Sequence, residues 1–285
     1  MSEAENAETQ ERVVYDWLRS NMKFPNLWCP GCGIGTVVGA FTRALVKLGQ
    51  KKEELVATAG IGCTGRVPAY LDCDTLHTTH GRALTFATGV KLANPNLKVV
   101  VFMGDGDALA IGGNHFIHAC RRNIGLTAIV VNNAIYGMTG GQASPATPQG
   151  ANTTTSPLGC IETPFDACAL AIAAGATFVA RSTVYHVAHL EKMICQALGH
   201  DGFALLEVLS PCPTSFGRLN KMGSPVEMLE QLHQRSVRHK PDLDVEQMRR
   251  EGKDVVIGVL KQTVERKEYG TLYRETVVAK ACVED

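Results

Sequence analysis

Three groups of residues have the types and spacing of a reactive site. The first is Gly104-Asp105-Gly106-Asp107, which ends the hydrophobic run KVVVFM and is answered, after one more apolar run, by Asn132-Asn133. An aspartate at the carboxyl end of one strand and an asparagine at the carboxyl end of the next can converge on one hard cation, because ligands of open α/β sheets sit at that edge. Mg2+ prefers such oxygen ligands and completes its octahedron with phosphate oxygens and water. The intervening glycines let backbone N–H groups approach a diphosphate. The alternative is a glycine-bearing βα turn followed by an Asn-Asn turn, with no metal at either.

The second group is cysteine, of which the chain has ten. In a secreted protein they would suggest disulfides, but the start, MSEAENAETQER, is acidic and polar and does not read as a signal peptide. A cytoplasmic chain is expected, with metal, cluster or redox use of some thiols. Cys29-Pro30-Gly31-Cys32 is a C-x-x-C pair. A thioredoxin-like redox unit would need a preceding strand, and a zinc ribbon would need a second such pair; neither is present. A cluster needs four thiolates that meet in space. The best further candidates are Cys63, in the turn Gly60-Ile61-Gly62-Cys63-Thr64-Gly65, and Cys212, just after the apolar run Ala204 to Leu209. Cys120, Cys168 and Cys195 fall in small-residue or apolar helical segments and read as buried small hydrophobes. Cys73 and Cys160 lie in loops, where a second metal role stays open, and Cys282 lies near the C-terminus with no site role.

The third group is cationic. His80-Gly81-Arg82 opens an expected helix, so an anion site and a plain helix cap are both available readings. His115 and His118 stand three apart on one expected helix, without an H-E-x-x-H pattern or nearby carboxylates, and read as structural. The turn at 60–65 also satisfies G-x-G-x-x-G. A dinucleotide site there lacks the acidic ribose ligand expected near 80–86, and Pro68 interrupts the helix that should receive the pyrophosphate. A tight turn, or a backbone loop presenting Cys63, are the other readings.

These residues need elements to place them. Gly35 to Leu48 has the period of an amphipathic helix, with Val38, Phe41, Leu45 and Leu48 on one face. Leu55 to Ala59, Lys98 to Met103, Leu126 to Val131, Thr177 to Ala180 and Ala204 to Leu209 read as strands, several of them near-continuous apolar runs buried on both faces. Helices are expected over Val13 to Met22, His80 to Ala93, Ala110 to Arg122, Phe165 to Ala174 and Val184 to Leu198. This alternation predicts an α/β doubly wound parallel sheet over residues 1–220, with the first dozen residues a frayed tail. Asn132 to Thr163 has little periodicity, and a loop that long in a compact domain is functional or disordered. From 221 to 285 the charged stretches Val226 to Val237 and Val245 to Lys267 predict a C-terminal helical extension.

Twenty-eight basic residues balance 28 acidic ones, which argues against nucleic acid or an anionic membrane as the main partner. The longest uncharged apolar-rich stretch, Ala167 to Ala180, is too short to span a bilayer. With 45% hydrophobic and 20% charged residues, global disorder is excluded.

From GDGD through VVNNAIYGMTGGQASPATP the sequence resembles the thiamine-diphosphate signature of 2-oxoacid:ferredoxin oxidoreductases, in particular the β subunit of the 2-oxoglutarate or broad-specificity enzymes. The resemblance covers about residues 25–220 in several separate motifs. It implies that Asp105, the Asn133 side chain and the Ile135 carbonyl hold Mg2+, and that Gly106, Asp107, Gly137 and Met138 line the diphosphate. Ile61, Gly62, Cys63 and Thr64 would border the cofactor, with His80 of the HGR element beside it. Cys29, Cys32, Cys63 and Cys212 match the family's [4Fe-4S] ligands. Arg66 stands where the family has a Lys or Arg facing the substrate carboxylate, and a guanidinium binds a carboxylate bidentately.

By the same resemblance the pyrimidine half of the cofactor is held by a second domain. This sequence has no second set of βα units, so an α subunit is expected to supply it, in an αβ or (αβ)2 assembly, and the single chain is expected to be inactive. The implied reaction is CoA-dependent oxidative decarboxylation of 2-oxoglutarate to succinyl-CoA, reversible with a strong reductant, with electrons leaving through the cluster to ferredoxin. Pyruvate or a branched 2-oxoacid is the next substrate. A non-oxidative thiamine-dependent decarboxylase or carboligase, and a non-enzymatic iron–sulfur carrier, are the readings from other classes.

Overall fold

The structure is a computed structural model, and it describes residues 14–21 and 26–281. The expected N-terminal tail, Met22 and Cys282 lie outside the described residues.

Residues with β-branched and aliphatic side chains form the middle of the sheet. β1 (Leu55–Ala59), β3 (Lys98–Gly104), β4 (Leu126–Asn132) and β6 (Ala204–Leu209) are buried almost end to end. Such strands need cover on both faces. One face carries α1 (Ile34–Lys47), the short α2 (Val67–Tyr70) and α7 (Val187–Gly199); Val37, Phe41, Leu190 and Ile194 pack on Phe102, Ile129 and Leu206. The other carries α3 (Ala83–Ala93), α5 (Gly113–Arg122) and α6 (Ala167–Ala173), packed on Val101, Val130 and Leu205 through Leu84, Phe116 and Cys168.

With β2 (Asp74–His77), β5 (Phe178–Thr183), β7 (Ser236–Arg238) and β8 (Val255–Gln262), the sheet has eight strands in the order β2-β1-β3-β4-β6-β5-β8-β7. Six strands run parallel, from β2 to β5, while β8 pairs antiparallel to β5. After β1 the chain goes outward to β2 and then returns past β1 to β3. The carboxyl ends of β1 and β3 therefore meet at a point where the chain's direction of travel across the sheet reverses, which is where open sheets bind ligands.

Three expectations change. β2, with the polar sequence DTLH and no fully buried position, forms an edge strand that carries too little apolar pattern to be read. The helix expected from His80 begins at Ala83, because Gly81 takes φ +70° and donates its N–H to Asp107 Oδ1 at 2.6 Å. His80 thus sits in a turn beside Asp107. The C-terminal extension is helical over α8 (Pro225–Arg235), where Ser224 and Glu227 form a capping box, and over the short α9 (Val245–Arg250) and α10 (Tyr269–Tyr273). The stretch Val245 to Lys267, expected to be helical, instead contains β8. β5 would otherwise present unpaired backbone at the sheet edge, and β8 takes up those hydrogen bonds. Buried Asn123 fastens the return, donating to the carbonyls of Arg266 and Lys267.

Candidate active site

β3 and β4 end side by side, with Gly104 opposite Val131, so the residues that follow each strand leave the sheet together. Asp105 is 1% exposed. Its Oδ1 accepts the Asn133 backbone N–H at 3.4 Å, and its Oδ2 accepts the Ser144 hydroxyl in a very short bond. Burial pushes the Asp105 carboxyl up to about 6, against the opposing effect of the Ser144 and Asn133 hydrogen bonds.

One atom of the Asn133 side-chain amide lies 2.8 Å from the Ile135 carbonyl oxygen and 3.2 Å from Asp105 Oδ1. Turned one way, that atom is the nitrogen and donates to both. Turned the other way it is the oxygen, and three oxygens crowd one point. An octahedral Mg2+ with its usual bond length holds neighbouring oxygens about 3 Å apart. The donor set and spacing therefore fit a hard cation, which would make the second orientation the favourable one.

In front of these oxygens is a cavity of about 370 Å3, walled by the ends of β1, β3 and β4. Buried Gly106 and Asp107 form its floor with His80, and Ile61, Gly62, Cys63, Thr64, Gly137 and Met138 belong to the rest of its lining. The glycines are there because their neighbours leave no room. A Cβ on Gly60 would stand 2.1 Å from Asp107 Oδ2, and one on Gly106 would stand 2.2 Å from the Tyr136 ring. Asp107 ties the cavity floor together: its Oδ1 accepts N–H groups from Ile61 at 3.3 Å and Gly81 at 2.6 Å. Burial pushes its carboxyl up, against the N–H of Gly81 and the nearby His80. His80 Nδ1 stands 3.0 Å from Asp107 Oδ1 but off the hydrogen-bond direction, and among the described residues neither Nδ1 nor Asp107 Oδ2 has a hydrogen-bond partner.

The four expected thiols share one neighbourhood beside this cavity. Trp28 is buried against Tyr70 and donates its indole N–H to the Cys63 carbonyl at 2.8 Å, which fixes the CPGC loop to the glycine turn. Burial pushes the Cys32 thiol up to about 11, with Cys63, Cys212 and Cys29 acting on it in the same direction. Cys63 is raised by burial and by Cys212 and Cys29. Cys212 reaches the cavity wall, since its Sγ would lie 3.2 Å from a Cβ on Gly137.

A single tetrahedral zinc, with bonds of about 2.3 Å, would draw its sulfurs to about 3.8 Å from each other. Among the described residues only Asp166, Cys168 and Glu207 bring three ligand atoms within 4.8 Å of one another, so no three of these four thiols do. Four thiols near enough to act on one another, with no three drawn as close as one ion would hold them, are a donor set that suits a cluster better than one ion. All nine described cysteines are free. Cys120 and Cys168 are buried as expected; Cys195 is only half-buried, and Cys168 is less inert than a small hydrophobe, since its thiol meets Glu207 at 3.3 Å.

Arg66 lies outside the cavity wall, exposed and three residues beyond Cys63. His115 and His118 do not pair: each ring instead meets an arginine, Arg82 at 3.1 Å and Arg121 at 3.2 Å. The structure adds residues that sequence reasoning passed over. Tyr136 donates to the Gly106 carbonyl at 3.1 Å, Thr139 and Gln142 line the cavity, and Ser144 holds Asp105. The available signal was the polar density of the 133–163 loop, which marks function without naming the residue.

Residues 55–208 match the thiamine pyrophosphate enzyme family, C-terminal TPP binding domain. The chain is 52% identical over 249 residues to the 2-oxoglutarate synthase subunit KorB of Archaeoglobus fulgidus, covering 87% of this chain and 89% of that protein. The chain belongs to the β subunits of the 2-oxoacid:ferredoxin oxidoreductases. It is also 49% identical over 191 residues to the 2-oxoacid:ferredoxin oxidoreductase subunit beta of Saccharolobus solfataricus, covering 66% of this chain and 63% of that one. The 2-oxoglutarate:ferredoxin oxidoreductase of Magnetococcus marinus, solved with 2-oxoglutarate, coenzyme A and succinyl-CoA bound, has a TM-score of 0.82 and 32% identity over 93% of this chain and 90% of that one. The oxidoreductase family, the thiamine-binding α/β fold and the cavity at the sheet's carboxyl edge thus agree.

Proposed function

We propose that this β subunit, joined to an α subunit that carries the pyrimidine-binding domain, oxidatively decarboxylates 2-oxoglutarate to succinyl-CoA. In this reading it passes the two electrons singly through a [4Fe-4S] cluster to ferredoxin in the cytoplasm. The observation that carries the reading is the contact between the two chemistries. Gly137, on the wall of the cavity, packs against the sulfur of Cys212, and Cys63 belongs to both the cavity and the thiol group. An iron–sulfur carrier has no use for the cavity, and a non-oxidative thiamine enzyme has no use for the thiols.

Thiamine diphosphate, when bound, supplies a carbanion-stabilising electron sink. In this reading Asp105, Asn133 and the Ile135 carbonyl hold Mg2+, while Gly106, Gly137 and Met138 admit the diphosphate. Asp107 fixes the turn that carries His80, leaving the imidazole to hold a proton at the cavity floor. In the same reading Cys29, Cys32, Cys63 and Cys212 hold the cluster, and Arg66, exposed just beyond Cys63, meets the substrate carboxylate. Ile61 and Met138 on the rim and Ile111 against Gly81 are 43%, 42% and 54% exposed, which supports a partner that covers this edge. Among the described residues no helix is long and apolar enough to cross a membrane.

The test is anaerobic co-purification with the α subunit, followed by a panel of 2-oxoacids with CoA and a viologen acceptor. A 2-oxoglutarate-dependent, CoA-dependent reduction by the complex, and none by the single chain, is expected. A complex that prefers pyruvate overturns the substrate assignment. A complex without iron overturns the electron path, and turnover by the pure single chain overturns the need for a partner.

A further inference from the structure

Behind the turn that carries Asn133 and Ile135 lies a buried charge that the chemistry above does not use. Glu207, on β6, is 2% exposed. Its Oε2 accepts Arg181 Nε at 2.6 Å, and Arg181, directly opposite on β5, also reaches Asp166 at 2.6 Å. A buried carboxylate needs such a counter-charge. Its other oxygen, Oε1, accepts the Asn132 side-chain N–H at 2.8 Å. That bond sets the orientation of the Asn132 amide, whose own Oδ1 is then left to accept the Ala134 N–H at 3.1 Å.

Ala134 has φ +61°, a left-handed conformation that strains any residue bearing a Cβ. It is the residue between Asn133 and Ile135. It is gripped from the sheet by Asn132 and from the loop by Thr147, whose hydroxyl donates to the Ala134 carbonyl at 2.7 Å. Relaxing Ala134 would turn the Asn133 side chain and the Ile135 carbonyl away from their common point with Asp105.

We infer that Glu207, charge-paired with Arg181, is a positioning residue for the metal turn: it locks the Asn132 amide, which holds Ala134 left-handed and aims two of the three oxygens. This rests on the reading that those oxygens hold Mg2+. The Mg2+ concentration for half-maximal thiamine diphosphate binding to the apo αβ complex, followed by calorimetry, tests both. Asp105→Asn checks the reading itself, and an unchanged Mg2+ requirement in that variant sinks the metal assignment.

With that requirement lost in Asp105→Asn, two variants test the inference. Glu207→Leu with Arg181→Met replaces the ion pair by apolar groups of similar volume, a change that buried pairs tolerate. Asn132→Ala removes the same link from the other end and decides the matter should the double variant not fold. Each is expected to raise the Mg2+ requirement about tenfold or more, as loss of a ligand-orienting group does, with cluster iron unchanged. Adding Asn132→Ala to the double variant should raise it no further. A requirement within about twofold of the parent in Asn132→Ala, or full additivity of the two changes, overturns the inference.

Discussion

Replacing Gly106 by alanine should push Tyr136 out of place, and the size of the effect follows from the geometry. The new Cβ would sit 2.2 Å from Tyr136 Cε1 and 2.4 Å from Cζ. Carbon atoms pack at about 3.5–4.0 Å, so the ring must retreat by roughly 1.3 Å or more. That retreat breaks the bond from the Tyr136 hydroxyl to the Gly106 carbonyl. Overpacking costs about 1–3 kcal/mol and the lost hydrogen bond about 1 kcal/mol. Because Gly106 lies in the short helix α4 (Asp105–Leu109), alanine's better helix propensity offsets about 1 kcal/mol. A net loss of about 1–3 kcal/mol lowers the Tm by roughly 2–5 °C in a chain of this size. Thiamine diphosphate affinity should fall at least tenfold, since Tyr136 lines the cavity. Scanning fluorimetry and calorimetry on the αβ complex read both. The decisive control is Tyr136→Ala: with the ring gone, Gly106→Ala should cost much less than it does alone. Stability losses that add within about 0.5 kcal/mol would mean that the two side chains do not collide, and the steric account would be wrong.

Cys63→Ala should lose the visible absorbance and iron of the complex, while Cys120→Ala, at a buried thiol in the other half of the core, should retain both; iron retained in Cys63→Ala would remove Cys63 from the ligand set. Arg66→Ala should raise KM for the 2-oxoacid strongly while thiamine diphosphate binding persists, and an unchanged KM would free Arg66 of any substrate role. Metal removal should depend on pH. Asp105 titrates higher in the folded protein than in the unfolded chain, so its contribution to stability is present below pH 3.8 and is lost as the pH rises to about 6. That shift corresponds to about 3 kcal/mol at neutral pH. Mg2+ with thiamine diphosphate should therefore raise the Tm of the EDTA-treated complex more at about pH 7 than at about pH 5, and Asp105→Asn should erase that difference.

The strands of the sheet's interior and the helices over them are legible in the sequence because their residues repeat with the period of the element. β1 and β6 fall on the expected residues, and β3 and β4 extend them by one at the carboxyl end. Edge elements escape. β2 is short and polar, and β8 lies within a charged stretch whose strand state is set by the open edge of β5 rather than by its own pattern. The site divides in the same way. Asp105 and Asn133 stand out because oxygen ligands beside glycines at strand ends have few other uses, and the CPGC pair stands out because two thiols so closely spaced have few other uses.

What the sequence alone determined is the inventory: which residues can bind a cation or a cluster, and that a doubly wound sheet would bring strand ends to one edge. How those residues are held is set by the packed fold. Asp107 bonds to Ile61 and Gly81, Ser144 to Asp105, and Glu207 to Asn132 across separations of 26 to 75 positions in the chain. Local propensity carries no information about such partners, since a hydrogen bond across the sheet depends on register and burial that exist only after folding. The reactive groups are written in the sequence, and their aim is a property of the packed sheet.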